Sequence, residues 1–345
     1  MAKIDFYKID NDEKAAVFTE IATQKGMKPF AVEKDWWVCR TLELIFNMPI
    51  AQHLVFKGGT SLSKAWKLIN RFSEDIDLAI NKEFFIISEK EWTKKEITKL
   101  RKLSGVYCSN TFVEDLKKEF EIKGYNGLVL DVIDNKESDQ DPRIIDIFYP
   151  NVIKSDTEYL LPRVQIEISC RSLIEPFSLQ SFGSLVDEYY SGEDFAEPLF
   201  QIPTVNPERT FLEKLFLLHE EFHRPAEKIR VNRLSRHIYD IYQLTQSGIA
   251  SKAMSDKGLY ESIVVHRHKF SRVSGVDYNL LNPITLNPIP PQNLISKWEN
   301  DYLKMKEDMI FDDQKPSFED LINNLKQLRV LMNELEWSFE LEFKV

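Results

Sequence analysis

The chain has 345 residues, 43% of them hydrophobic and 29% charged, and a formal net charge of −10. That length is too great for one small module and short for three, so two domains of unequal size or one large α+β body are expected, with enough chain to bury a core without disulfides or a structural metal. The acidic balance excludes a protein that binds nucleic acid over its whole surface and leaves room only for a local basic path.

Cys39, Cys108 and Cys170 are scattered, without C-x-x-C spacing, which speaks for a reducing compartment and against a zinc site. The start, Met1 to Asp12, is polar and has no apolar h-region, and no stretch approaches the roughly 18 apolar residues of a membrane span. A cytoplasmic protein without a membrane partner is expected.

In chain order, Asn11 reads as the N-cap of a helix through about Thr23, closed by Gly26. A second helix is predicted from Pro29 to Asn47, with Phe30, Trp37, Leu44 and Ile45 on one face. Leu54-Val55-Phe56 reads as a buried strand ending at Gly58-Gly59. Thr60 or Ser61 then caps a helix through about Ile69, and Ile76 to Ile80 forms the next strand. Residues 88 to 124 read as helical and highly charged. Strands follow at Gly127–Ile133, Arg143–Tyr149 and Arg163–Arg171. Asn206-Pro207 opens a mainly helical remainder, a capping residue followed by proline at the first helical position. Pro283, Pro288, Pro290 and Pro291 mark an extended connector, and helices close the chain from about Leu294. The domain boundary falls near 200, giving domains 1–200 and 201–345.

The chemistry concentrates in Lys57-Gly58-Gly59-Thr60-Ser61 and Arg71-Phe72-Ser73-Glu74-Asp75-Ile76-Asp77. Two glycines after a buried strand let the backbone turn sharply and approach a ligand. The helix that follows aims its N-terminal amides at that turn, a natural phosphate site to which the Thr60 and Ser61 hydroxyls add donors. Asp75 and Asp77 alternate around Ile76, so both carboxylates share one strand face while Ile76 and Leu78 enter a core. Carboxylates that close repel unless a cation joins them, and magnesium prefers such oxygen ligands, completing its shell with phosphate and water. A lone D-x-D is commonly a solvated strand end, and a lone Gly-Gly a simple turn. The ordered series strand, Gly-Gly, Thr-Ser, helix, D-x-D, strand is what makes the pattern specific. Neither a P-loop nor a Rossmann fingerprint is present.

That order resembles the DNA polymerase beta-like nucleotidyltransferase superfamily, and Phe56 to Leu78 looks like the AbiEii/AbiGii toxin family. These are abortive-infection and toxin–antitoxin nucleotidyltransferases that include the MenT toxins. The spacing from Gly59 to Asp75 exceeds the superfamily's usual range and suits the AbiEii-like form, in which Arg71-Phe72-Ser73 precede the acids. Glu33-Lys34-Asp35-Trp36-Trp37 looks like the family's N-terminal segment, and Arg163 to Ile168 like its third-acid strand. Glu213-Lys214 and Arg236-His237-Ile238-Tyr239-Asp240 look like its two C-terminal motifs, with a weaker match at Asp301-Tyr302 and Met305. Residues 85 to 140 align to nothing.

The resemblance implies an α+β fold: a polymerase beta-like mixed sheet with flanking helices, and a mostly helical C-terminal region closing over the active-site cleft. It implies transfer of NMP from NTP to an acceptor hydroxyl with loss of pyrophosphate, using two magnesium ions, or manganese in their place. Gly58, Gly59, Thr60, Ser61, Arg71 and Ser73 would bind the nucleotide. The acceptor it implies is the 3′ end of a tRNA, and the partner a separately encoded antitoxin.

Further candidates carry two readings each. Glu167 lies on the polar face of its strand with Gln165 and Ser169; it is either a solvent-facing residue or, as the resemblance implies, a third metal ligand beside Asp75 and Asp77. Asp146 competes for that place. Lys214 falls within the apolar stripe of Phe211, Leu215, Leu218 and Phe222, so it either snorkels to solvent or faces a polar cleft; the matching family lysine is catalytic, and a contact to the nucleotide phosphates is then expected. Asp240 shares a helix face with Arg236 and His237. It reads as half of a surface ion pair or, by resemblance, as the base that activates the acceptor hydroxyl. Lys34 and Asp35 read as a solvated helix face or, with Arg236, as substrate contacts.

The run His223-Arg224, Lys228, Arg230, Arg233, Arg236-His237 is locally basic and suits a nucleic-acid backbone or a plain solvated face; Lys94, Lys95, Lys99 and Lys102 form a second such patch. His219 and His223 lack the H-E-x-x-H pattern of a zinc site. Two rival functions remain open: the same transfer to a protein or small-molecule acceptor, and a nucleotide-binding interaction protein without turnover.

Overall fold

In the computed structural model, residues 4–85, 92–133, 137, 140–154, 161–311 and 315–344 are described. The chain divides into two units, Met1–Trp66 with Phe72–Val205, and Lys67–Arg71 with Asn206–Val345. The first is built on a mixed sheet of β1 (Leu54–Lys57), β2 (Asp75–Ile80), β3 (Val129–Val132), β4 (Arg143–Phe148), β5 (Arg163–Ser169), β6 (Phe177–Phe182) and β7 (Phe200–Val205). The strand order is β3-β4-β5-β2-β1-β7-β6. The β2–β5 and β1–β7 pairs are parallel and the others antiparallel.

Register explains the two faces of this sheet. Ile76 pairs with Ile166, Leu78 with Ile168 and Phe56 with Leu78, so one face is a continuous buried apolar layer. Helix α1 (Asn11–Lys25) packs against α2 (Pro29–Ile45), and α2 contacts β2 and β5. All of α2 except Pro29 and Glu43 is buried. The predicted single apolar face is therefore too narrow: polar and apolar residues alike are covered, which is why periodicity alone misplaces Lys34 and Asp35. The short α3 (Gly58–Thr60) leaves β1 directly and continues as a π-helical turn through Ser61–Ala65.

Helix boundaries shift for identifiable reasons. Asp10, not Asn11, caps α1, its carboxylate accepting the Asp12 N–H at 2.8 Å, and Gly26 closes the helix at φ 62°. The charged region forms α4 (Lys94–Tyr107) and α5 (Val113–Lys123), joined by a π-turn at Cys108–Phe112. Lys94, Lys95, Lys99 and Lys102 are all exposed along α4.

A short helix α6 (Leu185–Tyr189) completes the first unit. The second unit is helical: α7 (Pro207–Phe222), α8 (Ser235–Gln246), α9 (Ile249–Ser255), α10 (Lys257–Phe270), α11 (Ile295–Met309) and α12 (Phe318–Asn333). Asn206 stands at the N-cap of α7, yet its side chain makes no capping bond. The proline-rich stretch between Leu281 and Gln292 forms neither helix nor strand. Among the described residues, no helix is long and apolar enough to cross a membrane.

Candidate active site

The glycine turn is itself the start of a helix, α3 with its π-helical continuation, together the glycine helix. Gly58 has φ +81°, and a Cβ placed there would lie 1.9 Å from Asp77 Oδ2. Backbone conformation and the neighbouring carboxylate therefore both require glycine at this position. Thr60 and Ser61 do not cap the helix; Lys57 holds that place without a side-chain bond. Both hydroxyls belong to buried residues. Thr60 Oγ1 donates to the Asp75 carbonyl at 2.5 Å and lies 3.0 Å from Ser73 Oγ, and Ser61 Oγ donates to the Gly58 carbonyl at 2.9 Å. The Thr60 bond fixes the glycine helix to the acidic strand, and the Ser61 bond closes the helix's own first turn. The helix ends at Ala65, short of the predicted Ile69.

Asp75 and Asp77 open β2 and are half-buried, while Ile76 and Leu78 are fully buried behind them. In the parallel register Asp75 pairs with Gln165 and Asp77 with Glu167, so the three acids occupy one sheet face. Asp146 lies on that face too, opposite Gln165, but it is buried, ion-paired with Arg163 and bonded by Gln165 Nε2 at 2.8 Å. Its carboxylate is already engaged, and the register places Glu167, not Asp146, directly beside Asp77.

Among the described residues, no three His, Cys, Asp or Glu side chains converge closely enough to hold a metal ion between them. The acids are neighbours on a face and not a closed cage, with the Asp77 carboxyl resting against Gly58. Magnesium commonly takes only one or two protein carboxylates and fills its shell with substrate phosphate and water, so this open oxygen donor set fits it in kind.

Lys34 and Asp35 are buried at 3% and 4% exposure, which corrects their reading as a solvated face. Lys34 pairs with Glu74 and donates to the Leu161 carbonyl at 2.8 Å. Asp35 pairs with Lys64 at 2.8 Å and accepts the Leu185 N–H at 2.6 Å.

In the second unit Arg71, Lys214, His237 and Asp240 form one cluster. Arg71 grips Asp240 bidentately, Nε to Oδ1 at 2.7 Å and Nη2 to Oδ2 at 2.8 Å, and Lys214 Nζ lies 3.0 Å from Asp240 Oδ2. Lys214 Nζ is also 3.4 Å from His237 Nδ1. Lys214 is buried, so it does not snorkel to solvent. Burial alone would raise the pKa of Asp240, but Arg71 and Lys214 outweigh it and hold the carboxyl below its ordinary value. A fully buried carboxylate with its charge claimed by two cations is a poor proton acceptor, so the geometry speaks against Asp240 as a general base. Burial, then Lys214 and Arg236, press the His237 pKa well down and keep the ring neutral.

The helix carrying this cluster has its own support. Leu234 cannot cap α8; Asp301 from α11 does so, accepting from Arg233 N at 2.7 Å, Ser235 N at 3.0 Å and Ser235 Oγ at 2.5 Å. The Asp301 match near the chain's end is thus a structural cap. Arg236 is half-buried on α8. The basic run is partly neutralised, since Arg224 and Arg230 share Glu221 at 3.2 and 2.7 Å. His219 is buried and accepts the Asn287 N–H at 2.9 Å, a structural role and not a metal ligand's. Glu74 and Lys64 pair with Lys34 and Asp35 without having been singled out as site residues, their sequence signal being their position beside the acid and glycine motifs.

A sequence profile described as nucleotidyl transferase AbiEii toxin, type IV TA system, matches residues 41–324. The chain belongs to this family. As an AbiEii-family toxin nucleotidyltransferase, it carries Gly58 to Asp77, Glu167, Lys214 and Asp240 inside the matched span, whereas Lys34 and Asp35 precede it. No curated protein matches the chain. Solved structures similar to it include these two. JHP933 from Helicobacter pylori is 15% identical, with 86% of this chain and 90% of that one covered and a TM-score of 0.39. The MenT4 nucleotidyltransferase toxin of Mycobacterium tuberculosis H37Rv is 16% identical, with 94% and 99% covered and a TM-score of 0.40.

Proposed function

We propose that this AbiEii-family protein is a magnesium-dependent toxin that moves NMP from an NTP to an acceptor hydroxyl, releasing pyrophosphate, and that the acceptor is the 3′ end of a tRNA. The observation that carries the reading is the register that sets Asp75, Asp77 and Glu167 side by side on one sheet face, with Gly58 bare against Asp77. Asp75 and Asp77, with Glu167 beside them, would hold magnesium or manganese. When bound, the ion supplies neutralisation of the charge that develops on the phosphoryl oxygens.

The chain's own groups do the rest. The absent Cβ at Gly58 makes room for the Asp77 carboxyl against the backbone, and the amides opening the glycine helix present positive dipole to a phosphate. Thr60 and Ser73 fix the spacing between that helix and the acids. In the helical unit, Asp240 orients Arg71 and Lys214 and takes no proton. A separately encoded antitoxin and a cytoplasmic setting belong to the same proposal, and the type IV system description of the family supports the antitoxin.

The partial neutralisation of Arg224 and Arg230 by a shared Glu221 favours one alternative, transfer to a small-molecule or protein acceptor. Incubating the protein with magnesium, each of four labelled NTPs and total tRNA separates the two. Label on tRNA, lost steeply as salt rises, supports the tRNA acceptor. Pyrophosphate release with unlabelled tRNA supports the alternative.

A further inference from the structure

We propose that Lys34 and Asp35 are a paired positioning device for the two arms of the active site, setting the acid strand and the glycine helix independently; this rests on the transferase reading above. The two residues are consecutive on α2, so their side chains leave the helix about 100° apart. Lys34 reaches Glu74, the residue before Asp75. Asp35 reaches Lys64, near the end of the glycine helix. One buried helix thereby grips both arms, with opposite polarity at each.

Each side chain is engaged by two partners. The Lys34 ammonium also donates to the Leu161 carbonyl at 2.8 Å, and the second Asp35 oxygen accepts the Leu185 N–H at 2.6 Å. Groups so occupied do not suit substrate contact. Stability alone does not account for them either, because burying an ion pair costs about as much desolvation as it returns, and apolar replacements of similar volume are often neutral or better. What two oppositely directed buried pairs provide is fixed geometry. Lys34–Glu74 orients the start of β2, and hence the metal-holding acids. Asp35–Lys64 orients the glycine helix, and hence the phosphate-binding amides. Thr60, donating to the Asp75 carbonyl at 2.5 Å, ties the arms directly.

The device predicts a split that a structural or substrate-binding role does not. Pyrophosphate release is measured with ATP, GTP, CTP and UTP in wild type, Lys34→Met and Asp35→Asn, titrating magnesium and NTP separately and recording melting temperatures. Lys34→Met is expected to raise half-saturating magnesium about 10- to 100-fold and leave the NTP KM within about threefold; Asp35→Asn is expected to do the reverse. Glu74→Gln and Lys64→Met should reproduce their partners' effects. Lys34→Arg and Asp35→Glu should restore most of the lost constant, and they carry the comparison if the harsher variants do not fold. The proposal is overturned if both constants move together in each variant, if neither moves, or if activity falls only with the folded fraction. Should wild type release no pyrophosphate, the transferase reading fails. The same two constants are then read from calorimetric binding of magnesium and NTP, on which the positioning device stands or falls separately.

Discussion

The two charged regions of this protein solve opposite problems. On the sheet of the first unit, Asp75, Asp77 and Glu167 gather negative charge on a half-buried face. In the helical unit, Arg71 and Lys214 surround a fully buried Asp240. The first arrangement sets like-charged side chains next to one another on a partly open face. The second is a bonded network whose members hold one another in place. Loss of a side chain should therefore cost function in the first region and folding in the second.

The sharpest way to break that contrast is Asp240→Leu. It strands Arg71 and Lys214 without their shared carboxylate, and a loss of about 3–5 kcal/mol in urea unfolding is expected, as for other broken buried pairs. Asp75→Asn, by contrast, should leave the stability read from urea unfolding within about 1 kcal/mol of wild type, because it sits at a partly exposed site. A stable Asp240→Leu protein would show that the cluster is not held by its charges.

Gly58→Ala tests the sheet region at a single atom. The new Cβ meets the Asp77 carboxyl at 1.9 Å in a backbone region that alanine rarely adopts. A cost of about 1–3 kcal/mol is expected from the backbone alone, with magnesium-dependent nucleotide binding lost as Asp77 is displaced. Calorimetric titration that finds binding intact would remove Gly58 from the site.

Asp301→Ala removes the cap of α8 from a distance. About 1–2 kcal/mol of stability should be lost, as is usual for an N-cap, and thermal unfolding reads it. Asp301→Asn, which keeps an acceptor oxygen, should recover part of it.

A pH dependence of similar size is expected as well. Burial, then the neighbouring His223, lowers the His219 pKa to about 3, and its Nδ1 must stay unprotonated to accept the Asn287 N–H. As pH falls, the unfolded chain takes up this proton first. Stability from this residue is full above about 6.5 and declines from there toward about 3. At pH 5.5 it amounts to about 1–2 kcal/mol lost. His219→Gln should flatten that slope in unfolding curves measured between pH 7 and pH 5, to the extent about one proton is linked.

How much of this was legible in the sequence depends on the range of each interaction. Period-two alternation was enough to put Asp75 with Asp77, and Glu167 on the polar side of its strand, because strand geometry is local. The glycine pair was readable for the same reason. What α2 does was not readable, since a helix buried on nearly every side has no periodicity to report its partners, and Lys34 and Asp35 find theirs 40 and 29 positions away. Asp240 looked like a surface pair with Arg236 because i and i+4 spacing is visible, whereas Arg71 lies 169 positions distant. Strand β7 escaped notice behind Pro203, and β6 through its short Phe-Ser-Leu-Gln-Ser-Phe alternation, although that pattern was present. The Thr60 and Ser61 hydroxyls were legible as polar groups beside a turn, but only the fold shows that they bond inward.

The most direct test of nucleotidyl transfer uses the NTP that supports turnover, labelled at either the α or the γ phosphate, with total tRNA and magnesium. Label from the α position should reach tRNA while label from the γ position leaves as pyrophosphate, and an Asp75→Asn, Asp77→Asn double variant should move neither. Transfer of the γ label, or undiminished transfer by the double variant, would contradict a nucleotidyl transfer centred on these acids.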